Sequence, residues 1–365
     1  MKSIALTIGS AWCCASLFLV SACVQQNEFQ GLKIDVPFSE RQDSVSLTEI
    51  IHGMETIPLE ANEKSLLSPV AMSHYRISGD TLYILDIKTH AIQIFKLTGE
   101  HIYTLMRYGR GPGEYMYEED IFINPYTGTL DLFTAKGQII SYDVKDNYRH
   151  VKTITISEEV RSVSDCILHP SGKGVFFFSL YDSGKLGYRD LDSGEVRFFD
   201  YELDHDLARS PVYYSVRPFS SFGEQVFFLE PFSGKVFRLD ETSMTMHPHV
   251  WFDAGRYRYI VEKDNQDARK TVAPYMRYLE KERYLFAEAV FDKKCWAIIY
   301  DKQKGSCRYF HKTAEDLIFM HGEHRDGNMF VLMDPSIQSQ FTGKDEPLDK
   351  GNSLLIKYSL NPSFQ

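Results

Sequence analysis

Residues 107–115 read Arg-Tyr-Gly-Arg-Gly-Pro-Gly-Glu-Tyr, three glycines set around one proline. Gly109, Gly111 and Gly113 open backbone angles closed to other residues, and Pro112 stiffens the turn. A loop fixed in this way presents Arg107, Arg110, Glu114 and Tyr115 from one constant geometry. Guanidinium groups so held suit carboxylates, phosphates or sugar acids, because their planar fork donates two parallel hydrogen bonds. The same residues serve packing if Arg110 and Glu114 form an ion pair between neighbouring structural units. Both readings stand at this level.

A second constellation is aromatic and basic: Tyr213, Tyr214, Trp251, Tyr257 and Tyr259, with Arg217, Arg256 and Arg258. Trp251 and Tyr257 are the candidates for stacking on a sugar face or anchoring a partner, with internal packing as the alternative. Two histidine pairs raise the question of a metal, His247-Pro-His249 and His321-Gly-Glu-His324. Neither has the helical H-E-x-x-H spacing that sets two imidazoles on one face. Asp326-Gly327-Asn328 directly follows His324 and is a hairpin-turn signal, so exposed turn histidines are expected rather than zinc. The chain has no G-x-S-x-G elbow, so Ser-His-Asp chemistry has no positive signal. No catalytic residue and no cofactor are assigned.

The elements that must carry these residues repeat along the chain. Most apolar segments are short, alternating or β-branched, and end at Gly, Asp or Asn, as strands do. Marker aromatics recur at Phe95, Tyr142, Tyr188, Phe237, Tyr300 and Tyr358, at spacings of 47, 46, 49, 63 and 58. A polar turn follows most of them, and an apolar strand precedes each: 82–85, 130–133, 175–179, 226–229, 295–299 and 329–333. The fifth of these hairpins admits a shift by one strand. A period of about 40–50 residues built of short strands predicts a β-propeller with four antiparallel strands per blade. Six markers predict six blades. Residues 260–285 are charged and read as a short helical insertion, and 335–352 as a polar loop. Residues 45–60 supply a candidate outer strand for the last blade, closing the ring.

The 109–115 run, the hairpin over 82–99 and the N-terminus described next together resemble six-bladed β-propeller lipoproteins of Bacteroidetes-type bacteria, which are related to NHL-repeat propellers. The resemblance covers about residues 45–362 and implies fold and envelope location, with no agreed activity. Some six-bladed propellers are calcium-dependent lactonases. A metal-dependent hydrolase or lyase at the central channel is therefore the alternative function, and calcium belongs to that reading alone.

Residues 1–22 form an export signal: Lys2, an apolar run from Ile4 to Val20, then small residues. Val20-Ser21-Ala22-Cys23 looks like a bacterial lipobox, which implies cleavage before Cys23 and a lipid on its thiol. Residues 23–44 read as a polar tether, and 45–362 as the propeller. No acidic run follows Cys23, which favours an outer-membrane anchor facing the periplasm over display on the cell surface. The chain has 40 basic and 50 acidic residues, a net charge of −10, and loss of Lys2 with the signal makes it −11. With no Lys/Arg-rich block, an acidic chain repels nucleic acid. An aromatic content of 14% excludes a disordered chain. Cys166, Cys295 and Cys307 then remain, an odd number. A turn near 302–305 sets Cys307 opposite about Tyr300 and Cys295 well down the partner strand, so all three are read as buried thiols. The expected protein is a lipid-anchored binding module whose partner is an envelope protein, a small molecule or a glycan.

Overall fold

The computed structural model describes residues 29–38, 43–68, 73–180, 184–201, 203, 217–259, 275–343 and 352–364. Strand β1 (Leu32–Asp35), helix α1 (Leu47–Ile50) and β2 (Ile51–Pro58) precede the blades. The first blade is β3 (Ser73–Ser78), β4 (Thr81–Asp86), β5 (Ala91–Lys96) and β6 (His101–Leu105). The second is β7 (Glu118–Asn124), β8 (Thr129–Thr134), β9 (Gln138–Asp143) and β10 (Arg149–Thr155). The third is β11 (Asp165–Leu168), β12 (Gly174–Ser179), β13 (Lys185–Asp190) and β14 (Val196–Phe198). The fourth is β15 (Phe219–Phe222), β16 (Gln225–Leu229), β17 (Lys235–Asp240) and β18 (Thr245–Asp253). The fifth is β19 (Tyr275–Glu280), β20 (Tyr284–Phe291), β21 (Lys294–Asp301) and β22 (Ser306–Phe310). The sixth joins β23 (Glu323–Arg325), β24 (Asn328–Met333) and β25 (Leu354–Leu360) to β2, with a second short helix, α2 (Ser339–Thr342), between β24 and β25. The fold is therefore an all-β, six-bladed propeller.

Its apolar residues are shared between six hydrophobic clusters, one at each blade interface. Successive residues of a strand point to opposite faces, so each middle strand feeds two clusters. Leu82 and Ile84 pack against the sixth blade, while Tyr83 and Leu85 pack against the second. Strand β12 behaves likewise: Val175 and Phe177 face the second blade, Phe176 and Phe178 the fourth. Burial on both faces is why these strands read as unbroken apolar runs. The marker aromatics all fall on the third strand of a blade. Behind most stands an aspartate whose carboxylate accepts from backbone N–H groups two and three residues on, as Asp143, Asp190, Asp240 and Asp301 do. These Asx turns are the polar turns of the repeat.

The ring closes as β2 pairs antiparallel with β25, Met54 opposite Tyr358. Three details differ from the sequence reading. The strand of 295–299 is the third of its blade and Tyr284–Phe291 the second, so the fifth hairpin is shifted by one strand. The helical insertion over 260–285 is corrected where it is described: β19 and the start of β20 occupy its second half, and 260–274 lie outside the described residues. Of the charged residues that read as helix, Lys281, Glu282 and Arg283 form the β19–β20 turn, where Lys281 N–H donates to the Tyr284 carbonyl, while Tyr278 on β19 is buried. Within the segment read as a tether, β1 adds in parallel to β18 as a fifth strand on the fourth blade. Cys307 does stand opposite Tyr300, and Cys295 opposite Val290. Cys166 is buried, the other two half-buried, and all three are free thiols.

Candidate functional site

The first strands β3, β7, β11, β15, β19 and β23 are the innermost, touching one another around the central channel. In a four-stranded antiparallel blade the first strand begins where the connection from the preceding blade arrives. The opening residues of all six inner strands therefore meet at one end of the channel. Ion pairs join Arg76 of the first blade, Asp120 of the second, Asp165 of the third, Arg217 from the lead into the fourth and Glu323 of the sixth, and Arg277 of the fifth bonds the His321 carbonyl two residues before Glu323.

Asp120 is the hub. Its side chain is 3% exposed, and one carboxylate oxygen accepts from Arg76 Nη2 at 2.5 Å and from Arg217 Nη1 at 3.1 Å. Its other oxygen accepts from the Ile121 N–H at 2.7 Å. Arg76 also reaches Glu323 at 3.3 Å, and Arg217 lies 3.8 Å from Asp165. The chain Glu323–Arg76–Asp120–Arg217–Asp165 thus crosses five blades. Arg76 and Arg217 keep side-chain exposures of 32% and 29%, so the mouth is open to solvent although it lies at the centre of the ring. Arg277 Nη1 donates to the His321 carbonyl at 2.7 Å, and among the described residues no carboxylate lies within ion-pair distance of it.

Burial alone would raise the Asp120 carboxyl, but Arg76 and Arg217 hold it below its ordinary value. Asp165 has the more distant Arg217 and the Cys166 N–H, and burial outweighs them, pushing it up to about 7. Burial likewise lifts Glu119 to about 7. His74, 3.7 Å from Asp120, is driven down to about 4 by burial and by Arg217. The mouth thus sets three arginines beside Asp120, held towards its charged form, His74, held towards its neutral form, and Asp165 and Glu119, whose carboxyls burial raises.

The glycine-rich loop leads from β6 towards β7 and makes its contacts with the β4–β5 turn and the outer strands of the first two blades. Gly109 N–H donates to the Tyr115 carbonyl and Tyr115 N–H to the Arg107 carbonyl, closing the loop on itself. Glu114 accepts from Gly111 N–H at 2.7 Å within the same loop, while Arg110 lies exposed against the Met116 sulfur. Gly113 has φ +73°, and a Cβ there would sit 2.5 Å from His150, so glycine is required. Tyr115 is buried, its hydroxyl donating to the His90 carbonyl at 2.8 Å. Arg107 Nη2 donates to the Tyr148 carbonyl, with its guanidinium over the Tyr142 ring. Tyr108, stacked on His90, and Tyr117 remain about half exposed at this corner.

Trp251 and Tyr257 belong to a different place, around the outer strand β18 and the segment after it. The Trp251 indole is surrounded by Arg258, Lys33 and Lys235 at 4.6, 5.2 and 5.8 Å. Tyr257 packs edge-on to Phe291 and hydrogen-bonds Arg256. Arg217 does not join them; it serves the mouth. Cys23, Tyr213 and Tyr214 lie outside the described residues.

The expectation of exposed turn histidines is corrected for the 321–324 pair. The Asp326-Gly327-Asn328 turn does form, between β23 and β24, but the histidines precede it and pack between the fifth and sixth blades. His321 is 4% exposed, its ring flanked by Phe286 and Phe319, with its backbone N–H donating to buried Glu288. Burial holds His321 well below its ordinary value and takes His324 down to about 3. Among the described residues no group of three or more His, Cys, Asp or Glu side chains is placed to hold a metal ion.

Sequence reasoning missed the mouth because its members come from six distant segments. A signal was present: Arg76, Asp120, Asp165, Arg217 and Arg277 each precede their blade's marker aromatic by 19 to 23 residues, and Glu323 by 35 across the insertion in the last blade.

Fold and site define a closed six-bladed propeller with a charged channel mouth. The chain belongs to the DUF4934 family, a domain of unknown function, matched over residues 31–361. A Bacteroides fragilis protein described as exported superposes with a TM-score of 0.68 at 15% identity, covering 90% of this chain and 99% of its own. A member of the DUF4221 family from Bacteroides vulgatus superposes with a TM-score of 0.53 at 10% identity, covering 88% and 99%. At these identities the likeness is one of fold. No functionally curated protein matches the chain in sequence. Among the described residues no helix is long and apolar enough to cross a membrane.

Proposed function

We propose that the protein is an envelope β-propeller, lipid-anchored through Cys23 at the outer membrane and facing the periplasm, that binds a small anionic ligand at its channel mouth. A saccharide bearing a carboxylate fits best. The observation that carries this reading is the convergence of one charged side chain from every blade on one end of the channel. Arg277 supplies a guanidinium with no carboxylate partner among the described residues, suited to a ligand carboxylate. Arg76, Asp120 and Glu323 offer donors and acceptors to hydroxyl groups around it. The exported description of the Bacteroides fragilis neighbour supports the envelope setting.

The test is binding of uronic-acid oligosaccharides, followed by calorimetry. Arg277→Gln should weaken binding by about ten- to a hundredfold, the worth of a charge-assisted hydrogen bond. Ligands that bind equally well to wild type and to Arg277→Gln would remove the mouth as the seat. A second reading, a hydrolase or lyase at the channel, draws on Glu119 and Asp165, whose carboxyls near 7 lie in the range of general acids and bases. Turnover of lactones or acidic glycans that Asp165→Asn abolishes would favour it.

A further inference from the structure

Where the chain joins the described structure, Phe29 lies edge-on to Phe237 and to Trp251, with ring centroids 5.9 and 6.0 Å apart. Gly31 passes so close to the fourth blade that a Cβ would lie 2.6 Å from the His249 carbonyl oxygen, which fixes the path of the chain. Then β1 pairs with β18, setting Lys33 beside Trp251, and Trp251 in turn stands opposite Lys235 on β17. Paired residues of adjacent strands share a face. Three neighbouring strands thus display Lys33, Trp251 and Lys235 in one row, with Arg258 over the indole. The Lys33 and Arg258 side chains are half exposed, while Leu32, 41% exposed, pairs with Val250 on the other face of β1. Asp253, 4% exposed, lies under Lys33 and Arg258; the exposed carboxylate beside the row is Asp35.

Cys23 lies only six residues before Phe29. Six fully extended residues reach about 20 Å, roughly the radius of gyration of a domain of this length. A lipid on Cys23 would therefore hold the outer edge of the fourth blade at the bilayer and keep the first blade, on the opposite side of the ring, away from it. We propose that Lys33, Trp251, Lys235 and Arg258 form a membrane-contact surface. Trp251 sits at the headgroup level and the cations lie on the phosphates of anionic phospholipid, so the propeller stands edge-on with its channel mouth open to the side. Amphipathic indoles favour this interface, and cations beside them are drawn to an anionic surface. The rest of the domain, acidic overall, is repelled by such a surface. This inference rests on acylation of Cys23.

The test uses the processed protein in vesicles containing brominated phosphatidylglycerol. Once residues 1–22 are removed the chain keeps two tryptophans, Trp251 and Trp296, and Trp296 is 2% exposed. The emission lost in Trp251→Phe defines the Trp251 signal. That signal should be quenched by brominated lipid. The double variant Lys33→Glu, Lys235→Glu, checked for an unchanged melting temperature, should lose the quenching. Mass spectrometry of the same sample reports lipid on Cys23. Acylated protein whose Trp251 emission is the same in brominated and ordinary vesicles overturns this inference and leaves the anchor standing. Protein without lipid on Cys23 overturns both.

Discussion

Two aspartates invite comparison, Asp120 at the channel mouth and Asp253 at the outer edge of the fourth blade. Both side chains are almost fully buried, and each is gripped by two cations. Burial pushes each carboxyl up, and the cations more than reverse it. The difference lies in where the cations come from. Arg258 stands five residues from Asp253, and Lys33 arrives on the adjoining strand with its side chain half exposed. Arg76 and Arg217 stand 44 and 97 residues from Asp120, on other blades, and are less than a third exposed. One cluster braces a local turn in water; the other ties blades together across the centre of the ring.

The comparison breaks most sharply at the mouth. Asp120→Asn leaves Arg76 and Arg217 facing each other without their shared counter-charge. The expected loss is about 3 kcal/mol, the lower end for a broken buried pair because the arginines keep some solvent. Urea unfolding measures it. A loss under about 1 kcal/mol would mean that channel water, not Asp120, balances the arginines.

Asp165 gives a smaller effect with a definite pH signature. Its folded value near 7 lies above the ordinary carboxyl value, so the folded chain holds a proton that the unfolded chain has released. The stability it contributes is full below about pH 4 and is lost as pH rises to about 7. Asp165→Asn should flatten that part of the stability curve and be the more stable form at pH 8. An unchanged slope would show that Arg217 compensates Asp165 fully despite the 3.8 Å gap.

What could be read in advance follows the same division. The blade repeat was legible because its parts are local: an apolar run, an aromatic such as Tyr142 or Tyr300, then an Asx turn within a few residues. The register of Cys307 against Tyr300 followed from one turn. The loop at 107–115 was visible for the same reason, since its glycines and Glu114 bond within it. Asp120 was not singled out, because its charged partners Arg76 and Arg217 stand 44 and 97 residues away. Arg217 was grouped with Trp251 on sequence proximity, whereas the strand order sends them to opposite ends of one blade's width. The strand β1 hid within a polar stretch because only Ile34 of its four residues is buried.

Asp253→Asn sharpens the contrast from the other side. Its cations are about half exposed, so water and salt already screen the pairing, and the expected cost is about 1 kcal/mol or less. The asparagine can still accept from Gly255 N–H, the bond that fixes the following turn. Raising salt to 1 M shortens the screening length to about 3 Å, so the difference between wild type and Asp253→Asn should nearly vanish there. The Asp120→Asn difference, set in a buried pair, should persist. The same substitution releases Lys33 and Arg258 from their buried counter-charge and so should strengthen the anionic-lipid quenching of Trp251. Persistence of the Asp253 effect at 1 M salt, with no change in quenching, would place both aspartates in the same buried class and dissolve the distinction between them.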